Sequence, residues 1–160
     1  MKTQQRSTST LLFLQKDDRL LLAKKKRGHG VGKWNGVGGK LNESETPIAA
    51  AIRECQEEID VTPLHPQQIG ILHFTQKPWV DTYSDMDVYV FVATSWAGEP
   101  KETDEMSPKW FEADALPYDE MWEDDHHWLP LILAGQHFEG WFEFDDTYQL
   151  VATKLTEVDR

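Results

Sequence analysis

The chain has 160 residues, 28% of them charged, and a formal net charge of −12 at pH 7. This length lies within the usual range of one domain and allows a sizeable hydrophobic core. The acidic balance argues against binding to polymeric nucleic acid, because polyanions attract basic surfaces. We therefore expect one domain that spans residues 1–160 and has no polymeric nucleic acid as a partner.

Cysteine content and hydropathy restrict the class of protein further. Cys55 is the single cysteine, so an intrachain disulfide is excluded. The first residues lead into no hydrophobic signal segment, and no apolar run approaches the ~20 residues of a membrane span. We expect a cytoplasmic protein without a membrane partner. The oligomeric state stays open, and a monomer is plausible.

Periodicity and turn residues predict a mixed sheet with two helices. Helices are predicted at 47–59 and at about 124–135, and Pro130 limits where the second can begin. A glycine-punctuated loop covers 26–34, and a helical turn covers 113–116. Strands are predicted at 8–15, 19–25, 35–41, 68–76, 85–95, 109–111, 137–144 and 148–155. Within 85–95, one strand face carries Met86, Val88, Val90 and Val92. The fold class is therefore α+β or an α/β/α sandwich.

Three glutamates of the first helix, Glu54, Glu57 and Glu58, are predicted to share one face. At ~100° per residue, Glu57 lies about 60° to one side of Glu54 and Glu58 about 40° to the other. Such close carboxylates repel each other unless a cation neutralises them, and Mg²⁺ prefers oxygen ligands. The spacing alone fits either a divalent-metal site or a solvated acidic face. We expect the buried stripe of this helix to consist of Ile48, Ile52, Cys55 and Ile59.

The residues before the helix favour a metal site. Three glycines, Gly36, Gly38 and Gly39, allow a tight backbone approach. Thr46 and Pro47 are typical of an N-cap followed by proline at the first helical position. Glu45 precedes the cap and could reach back to the site. Arg53 is expected to point away from the centre of the acidic cluster and to anchor a neighbouring carboxylate or carbonyl.

Residues 39–61 resemble the Nudix box, GX5EX7REUXEEXGU, in which U is a bulky aliphatic residue. The matching positions are Gly39, Glu45, Arg53-Glu54, Glu57-Glu58 and Val61. Cys55 replaces the first aliphatic residue, which is a mild change because free cysteine packs as a small hydrophobe. Asp60 replaces the glycine that closes the helix, and aspartate tolerates a left-handed conformation better than most residues. We identify the chain as a member of the Nudix family on this motif.

The resemblance extends from about Thr10 to Val158. The segments 32–36, 104–106 and 121–130 are similar to the MutT-type branch that hydrolyses oxidised purine nucleoside triphosphates such as 8-oxo-dGTP. This resemblance implies an α/β/α sandwich with a mixed curved sheet. It also implies Mg²⁺-dependent hydrolysis, with Mn²⁺ as a possible substitute, to a monophosphate and pyrophosphate. The implied metal ligands are Gly39, Glu54, Glu57, Glu58 and Glu105, and the implied catalytic residues are Arg53 and the three helix glutamates.

A second group of residues suits recognition of a purine base. Trp122 offers a flat stacking surface, and Asn35 can both donate and accept hydrogen bonds. If Asp124 and Asp125 enter one apolar pocket, one of them should have a raised pKa and could donate a hydrogen bond. Taken from the residues alone, the favoured interpretation is that the two aspartates cap a helix and that Trp122 belongs to the core. The resemblance adds Lys25, Phe74 and Met86 as pocket residues.

His29 departs from the resemblance, because the MutT-type branch carries an aromatic hydrocarbon side chain at this position. Three functions are compatible with the sequence as a whole. The first is a nucleoside triphosphate pyrophosphohydrolase for damaged purine nucleotides. The second is a Nudix hydrolase for another diphosphate, such as a dinucleotide or a nucleotide sugar. The third is a catalytically silent nucleotide-binding module, which the intact glutamates of the helix argue against.

Overall fold

The computed structural model describes residues 6–76 and 85–159. Within these residues the helices are α1 at Pro47–Ile59 and α2 at Asp125–Leu133, and a short 3-10 helix covers Tyr118–Glu120. The first five strands are β1 at Arg6–Lys16, β2 at Arg19–Lys25, β3 at Trp34–Asn35, β4 at Thr62–Leu64 and β5 at Gln67–Gln76. The others are β6 at Asp85–Ala93, β7 at Ser95–Ala97, β8 at Met106–Glu112, β9 at His137–Phe144 and β10 at Leu150–Val158.

Eight of these strands form one mixed sheet. Its order is β10-β9-β5-β6-β1-β2-β3, and β8 pairs with β2. The pairs β1–β6 and β5–β9 are parallel, whereas the remaining pairs are antiparallel. Strands β4 and β7 form a separate antiparallel pair. The prediction of a mixed sheet is confirmed.

The sheet has a hydrophobic core on each side, and each core contains one helix. Strand β1 contributes Phe13 to the core that contains α2, and it contributes Leu12 and Leu14 to the core that contains α1. This alternation follows from the two-residue period of a strand. Strand β6 likewise sends Val88 and Val90 to the α2 side, as its sequence predicts. The architecture is therefore the predicted α/β/α sandwich.

The predicted strand at 35–41 is wrong. Only Trp34 and Asn35 pair with β2, and the chain then crosses β1 through two isolated bridges, Leu12–Val37 and Ser9–Lys40. The reason is a close backbone approach at Gly38, where an added Cβ would lie 1.8 Å from the carbonyl oxygen of Thr10. The glycines of this segment thus bring a loop, and not a regular ladder, against the sheet.

Other boundaries differ from the prediction for local reasons. The 113–116 segment forms a turn at Ala113 and Asp114, and the helical residues come later, at Tyr118–Glu120. Pro130 lies inside α2, which begins five residues before it, because the buried side chains of Trp128, Leu129 and Ile132 hold the helix against the sheet. Strands β4 and β7 are too short to be predicted from periodicity. No helix among residues 6–76 and 85–159 is long and apolar enough to cross a membrane.

Candidate active site

Local interactions define both ends of α1. The hydroxyl of Thr46 accepts a hydrogen bond from the backbone N–H of Ala49 at 3.3 Å, and Pro47 occupies the first turn. Asp60 closes the helix in the left-handed conformation, with φ 60° and ψ 39°. Its backbone N–H donates to the carbonyl of Gln56 at 3.0 Å. Aspartate therefore performs the role of the glycine in the Nudix box.

The buried face of α1 differs from the predicted stripe. Ile48 is 43% exposed, whereas Glu58 is only 3% exposed. Glu58 lies about 20° around the helix from Ala51, which is fully buried against the sheet. A solvated acidic face is therefore excluded for Glu58, since its helical position places it among the packed residues.

The Glu58 carboxyl has an unusual environment. Burial, with a smaller contribution from the neighbouring Glu54, raises the pKa of Glu58 to about 9. The backbone N–H of Gly38 donates to this carboxyl and opposes the increase. One carboxyl oxygen, Oε2, is buried without a hydrogen-bond partner among the described residues. A buried acceptor with no partner is costly and indicates a missing positive charge or donor.

Gly39 permits close contact between the loop and Glu54. A Cβ at Gly39 would lie 2.6 Å from Oε1 of Glu54, so that only glycine leaves room for the carboxylate. Gly38 and Gly39 also line a cleft that is described below. The glycine loop therefore joins the carboxylates of α1 to the cleft.

Arg53 holds the acidic residues together. Its guanidinium donates two hydrogen bonds to Glu45, at 2.8 and 2.9 Å. It also donates to Glu54 at 2.8 Å, to Glu57 at 3.3 Å and to the carbonyl of Lys40 at 3.2 Å. The guanidinium lowers the pKa of Glu45 to about 2. Arg53 anchors carboxylates and a carbonyl as expected, but the prediction that it points away from the acidic cluster is wrong.

The donors of this cluster fit a hard divalent cation. Glu54 and Glu58 supply carboxylate oxygens, and a cation would satisfy the orphaned Oε2 of Glu58. Glu57 is largely exposed and pairs with Arg53, while Glu105 lies 3.6 Å from Arg27. Within the described part of the chain, no three His, Cys, Asp or Glu side chains are gathered as a preformed metal cage. The complete ligand set therefore stays a prediction.

A cleft of about 580 Å³ opens on the α2 side of the sheet. It brings together residues that lie as far as 139 positions apart in the sequence, Ser9 and Tyr148. All of the predicted substrate-binding residues line it: Lys25, Asn35, Phe74, Met86, Trp122, Asp124 and Asp125.

The two aspartates of the cleft are almost fully buried. Asp124 is 4% exposed and accepts a hydrogen bond from the indole N–H of Trp128 at 2.7 Å. Asp125 is 2% exposed and accepts from the backbone N–H of Trp122 at 3.1 Å. Burial raises the pKa of Asp124 to about 6, and burial together with Asp124 raises the pKa of Asp125 well above its ordinary value. Although Asp124 occupies the N-cap position of α2, its side chain makes no capping bond.

Trp122 forms a wall of the cleft and is not part of the hydrophobic core. Its ring stacks on His29, with centroids 5.3 Å apart and an interplanar angle of 22°. The ammonium group of Lys33 lies 4.8 Å from the Trp122 ring centroid, and the ring of Tyr148 lies 6.0 Å away. Asn35 lies nearby in the cleft lining, and its amide oxygen accepts from the N–H of Gly36 at 2.8 Å.

Several residues that line the cleft were not predicted from the sequence. Lys33 belongs to the glycine-rich segment, and its position next to Trp34 and Asn35 could have indicated that it lies in the cleft. Tyr148 lies in the β9–β10 turn with a positive φ of 62°, and nothing in the local sequence connects it to Trp122. Thr10 is 2% exposed, and its hydroxyl lacks a partner among the described residues although Thr10 lines the cleft.

An α/β/α sandwich in which one helix carries Arg53 and the glutamates of the Nudix box is typical of a Nudix hydrolase. The NUDIX domain family model matches residues 3–132 of this chain. The chain belongs to the Nudix family.

Within that family, two similar proteins cover nearly the whole chain. It is 43% identical over 150 residues to the oxidized purine nucleoside triphosphate hydrolase of Danio rerio, with 94% of each chain covered. It is 41% identical over 152 residues to the protein of the same name from Mus musculus, again with 94% of each chain covered. The solved MutT protein of Bacillus halodurans superposes with a TM-score of 0.82, covering 93% of this chain and 97% of its own, at 24% identity. That likeness concerns the fold alone.

Proposed function

We propose that this protein hydrolyses purine nucleoside triphosphates, oxidised ones above all, to a nucleoside monophosphate and pyrophosphate. One observation carries the proposal. The glycine loop that contacts Glu54 and Glu58 also lines the cleft that holds the buried Asp124–Asp125 pair. The carboxylate cluster, which could bind a metal ion and phosphates, therefore lies next to the cleft, which could hold a base. The similarity to two oxidized purine nucleoside triphosphate hydrolases supports the same substrate class.

The carboxylates of α1 would hold the metal ion. Glu54 and Glu58 are the main ligands in this proposal, with Glu57, Glu105 and the carbonyl of Gly39 completing the set. Mg²⁺ is the expected ion, and Mn²⁺ could replace it. When bound, such an ion stabilises charge on the phosphates and lowers the pKa of a coordinated water. Arg53 keeps Glu54 in place by its hydrogen bond at 2.8 Å.

The base pocket would read the purine edge. A carboxyl that is protonated near neutral pH donates a hydrogen bond to a base oxygen, whereas an ionised neighbour accepts from a base N–H. Asp124 and Asp125 have the raised pKa values that this division needs. Asn35 adds an amide at the same cleft, and Trp122 adds a stacking surface. Lys25, Phe74 and Met86 also line this cleft.

A substrate panel with pyrophosphate and monophosphate detection tests the proposal. We expect 8-oxo-dGTP and 2-oxo-dATP to be turned over with higher kcat/KM than ADP-ribose or NADH. Equal or lower turnover of the oxidised nucleotides would favour the alternative Nudix hydrolase for another diphosphate.

The variant Glu58→Gln tests the carboxylate cluster. It removes the carboxyl group that would bind the metal ion as a carboxylate while keeping the side-chain volume, so we expect hydrolysis to fall by at least about 100-fold with the fold intact. Circular dichroism and thermal unfolding provide the control for folding. Unchanged turnover would refute the proposed metal site, and a wild-type protein that binds nucleotides without hydrolysing any would be a silent binding module.

A further inference from the structure

Lys33 lies at a rigid point between the glycine loop and β3. Its backbone N–H donates to the carbonyl of Gly30 at 3.0 Å, and its carbonyl accepts from the N–H of Lys25 at 3.1 Å. The next residue, Trp34, is paired with β2. Because the backbone is held on both sides, the position from which the Lys33 side chain extends is well defined.

From this point the side chain reaches the aromatic wall of the cleft. The Lys33 ammonium group lies 4.8 Å from the centroid of the Trp122 ring, inside the ~6 Å range of a cation–π interaction. Both residues line the cleft. Together with the stacked ring of His29, this contact helps to hold the Trp122 ring, which is the proposed stacking surface for a base.

The same contact connects Lys33 to the aspartate pair. The backbone N–H of Trp122 donates to Oδ2 of Asp125 at 3.1 Å, so the tryptophan contacts Lys33 through its ring and Asp125 through its backbone. The charge of Lys33 favours ionised Asp125 and opposes burial and Asp124, both of which favour the neutral form. Lys33, Trp122 and Asp125 are therefore linked through a chain of two direct contacts.

The other charged groups that act on Asp124 come from its own segment, and Lys25 and Lys40 also line the cleft. Glu123 and His126 act on Asp124 from positions beside it, and Tyr118 of the 3-10 helix lies close enough to sense the charge of Asp125. Lys33 differs from Glu123 and His126 because it acts on Asp125 from the glycine-loop side of the cleft.

We propose that Lys33 is a positioning residue for base recognition, whose ammonium group holds the Trp122 ring and supplies positive charge from across the cleft to the Asp124–Asp125 pair. This inference rests on the proposed function, because it assumes that a purine base occupies the cleft. Lys33 acts through its two partners and needs no contact with the reacting phosphates.

The charge of Lys33 should shift the pH dependence of base binding in a definite direction. Binding that needs a protonated carboxyl is present below the pKa of the pair and is lost as the pH rises through it. Loss of the Lys33 charge raises that pKa, since the ionised form is no longer favoured. Binding should therefore persist to higher pH in a variant without the charge, although its strength at low pH should fall because the cation–π contact is gone.

The test measures the dissociation constant of 8-oxo-dGMP by titration calorimetry as a function of pH. This probe contains the base and lacks the pyrophosphate, so the readout does not depend on hydrolysis. For Lys33→Met, the midpoint of the loss of binding should move up by about 0.5 to 1 pH unit, and binding at low pH should weaken about 2- to 5-fold. Lys33→Arg should restore both, because it keeps the charge and stacks on aromatic faces.

Lys24→Met is the matched control. Lys24 also lies over a tryptophan, with its ammonium group 5.6 Å from the Trp34 ring centroid, and it lies outside the cleft lining. Its removal changes the net charge by the same amount and should leave the pH midpoint unchanged.

Three results would overturn the role of Lys33. These are an unchanged midpoint in Lys33→Met, a Lys33→Arg variant that shifts as far as Lys33→Met, and an equal shift in Lys24→Met. If the wild-type protein fails to bind 8-oxo-dGMP at any pH, the proposed base site fails as well. Binding by the wild type without the predicted shift refutes the role of Lys33 alone.

Discussion

Replacement of Gly39 by alanine should separate catalysis from stability. The added Cβ would lie 2.6 Å from Oε1 of Glu54, whereas ordinary contacts begin at 3.4 Å. The Glu54 carboxylate must therefore retreat by about 0.8 Å. A displacement near 1 Å in a catalytic group can cost about 100-fold in rate. We expect kcat of Gly39→Ala to fall by about two orders of magnitude.

The cost in stability should be small, because the obstructing atoms belong to the end of a flexible side chain. We expect the free energy of unfolding to fall by no more than about 1 kcal/mol, which corresponds to roughly 2–4 °C in the unfolding temperature. Gly38→Ala is the contrasting variant, since its Cβ would lie 1.8 Å from the backbone carbonyl oxygen of Thr10. A backbone atom cannot retreat as a side chain can, so this variant should unfold at a much lower temperature.

The assay is steady-state hydrolysis of 8-oxo-dGTP combined with thermal unfolding of both variants. Near-normal turnover by Gly39→Ala would refute the argument that Glu54 must keep its place against the loop. A loss of stability equal to that of Gly38→Ala would refute the distinction between side-chain and backbone obstruction.

Three further variants test the surroundings of the site. Arg53→Lys removes the two-point contact with Glu45, so we expect kcat to fall about 10-fold, and equal kinetics would count against the anchoring role. Asp124→Asn removes a buried acid whose pKa is raised to about 6, which costs stability only above the ordinary pKa of 3.8. Above pH 6, the free energy of unfolding of the variant should therefore exceed that of wild type by about 1–3 kcal/mol. The unfolding temperatures of the two proteins should converge at low pH in thermal scans. No such pH dependence would contradict the burial argument. His29→Ala removes the ring stacked on Trp122 and should raise KM about 3- to 10-fold, whereas His29→Phe keeps a stacked ring and should stay near wild type. Equal KM values for the two variants would exclude a stacking role.

The caps of α1 were predictable because their interactions are local. Thr46 bonds to a residue three positions away, and Asp60 needs only a tolerated left-handed conformation. The spacing of Glu54, Glu57 and Glu58 likewise follows from the helical repeat. For the same reason, the Nudix box could be recognised without knowledge of its neighbours.

The burial of Glu58 was not predictable from the helix itself. Periodicity determines the angles between residues of α1, but it does not determine which angle faces the sheet. Ile48 appeared to belong to the buried stripe and is 43% exposed, while Glu58 is 3% exposed. Packing against β1 and β6 decided this orientation, and with it the raised pKa of the Glu58 carboxyl.

Family, helix ends and the order of the acidic residues were therefore contained in the linear chain, because each depends on interactions within a few residues. The base pocket was named from resemblance, and its geometry required the folded sheet. Asn35 and Trp122 lie on segments 87 positions apart and meet only across the cleft. The environment of Asp124 and Asp125, and the approach of Lys33 and Tyr148 to Trp122, depend on which surfaces exclude water. Tertiary packing alone decides that.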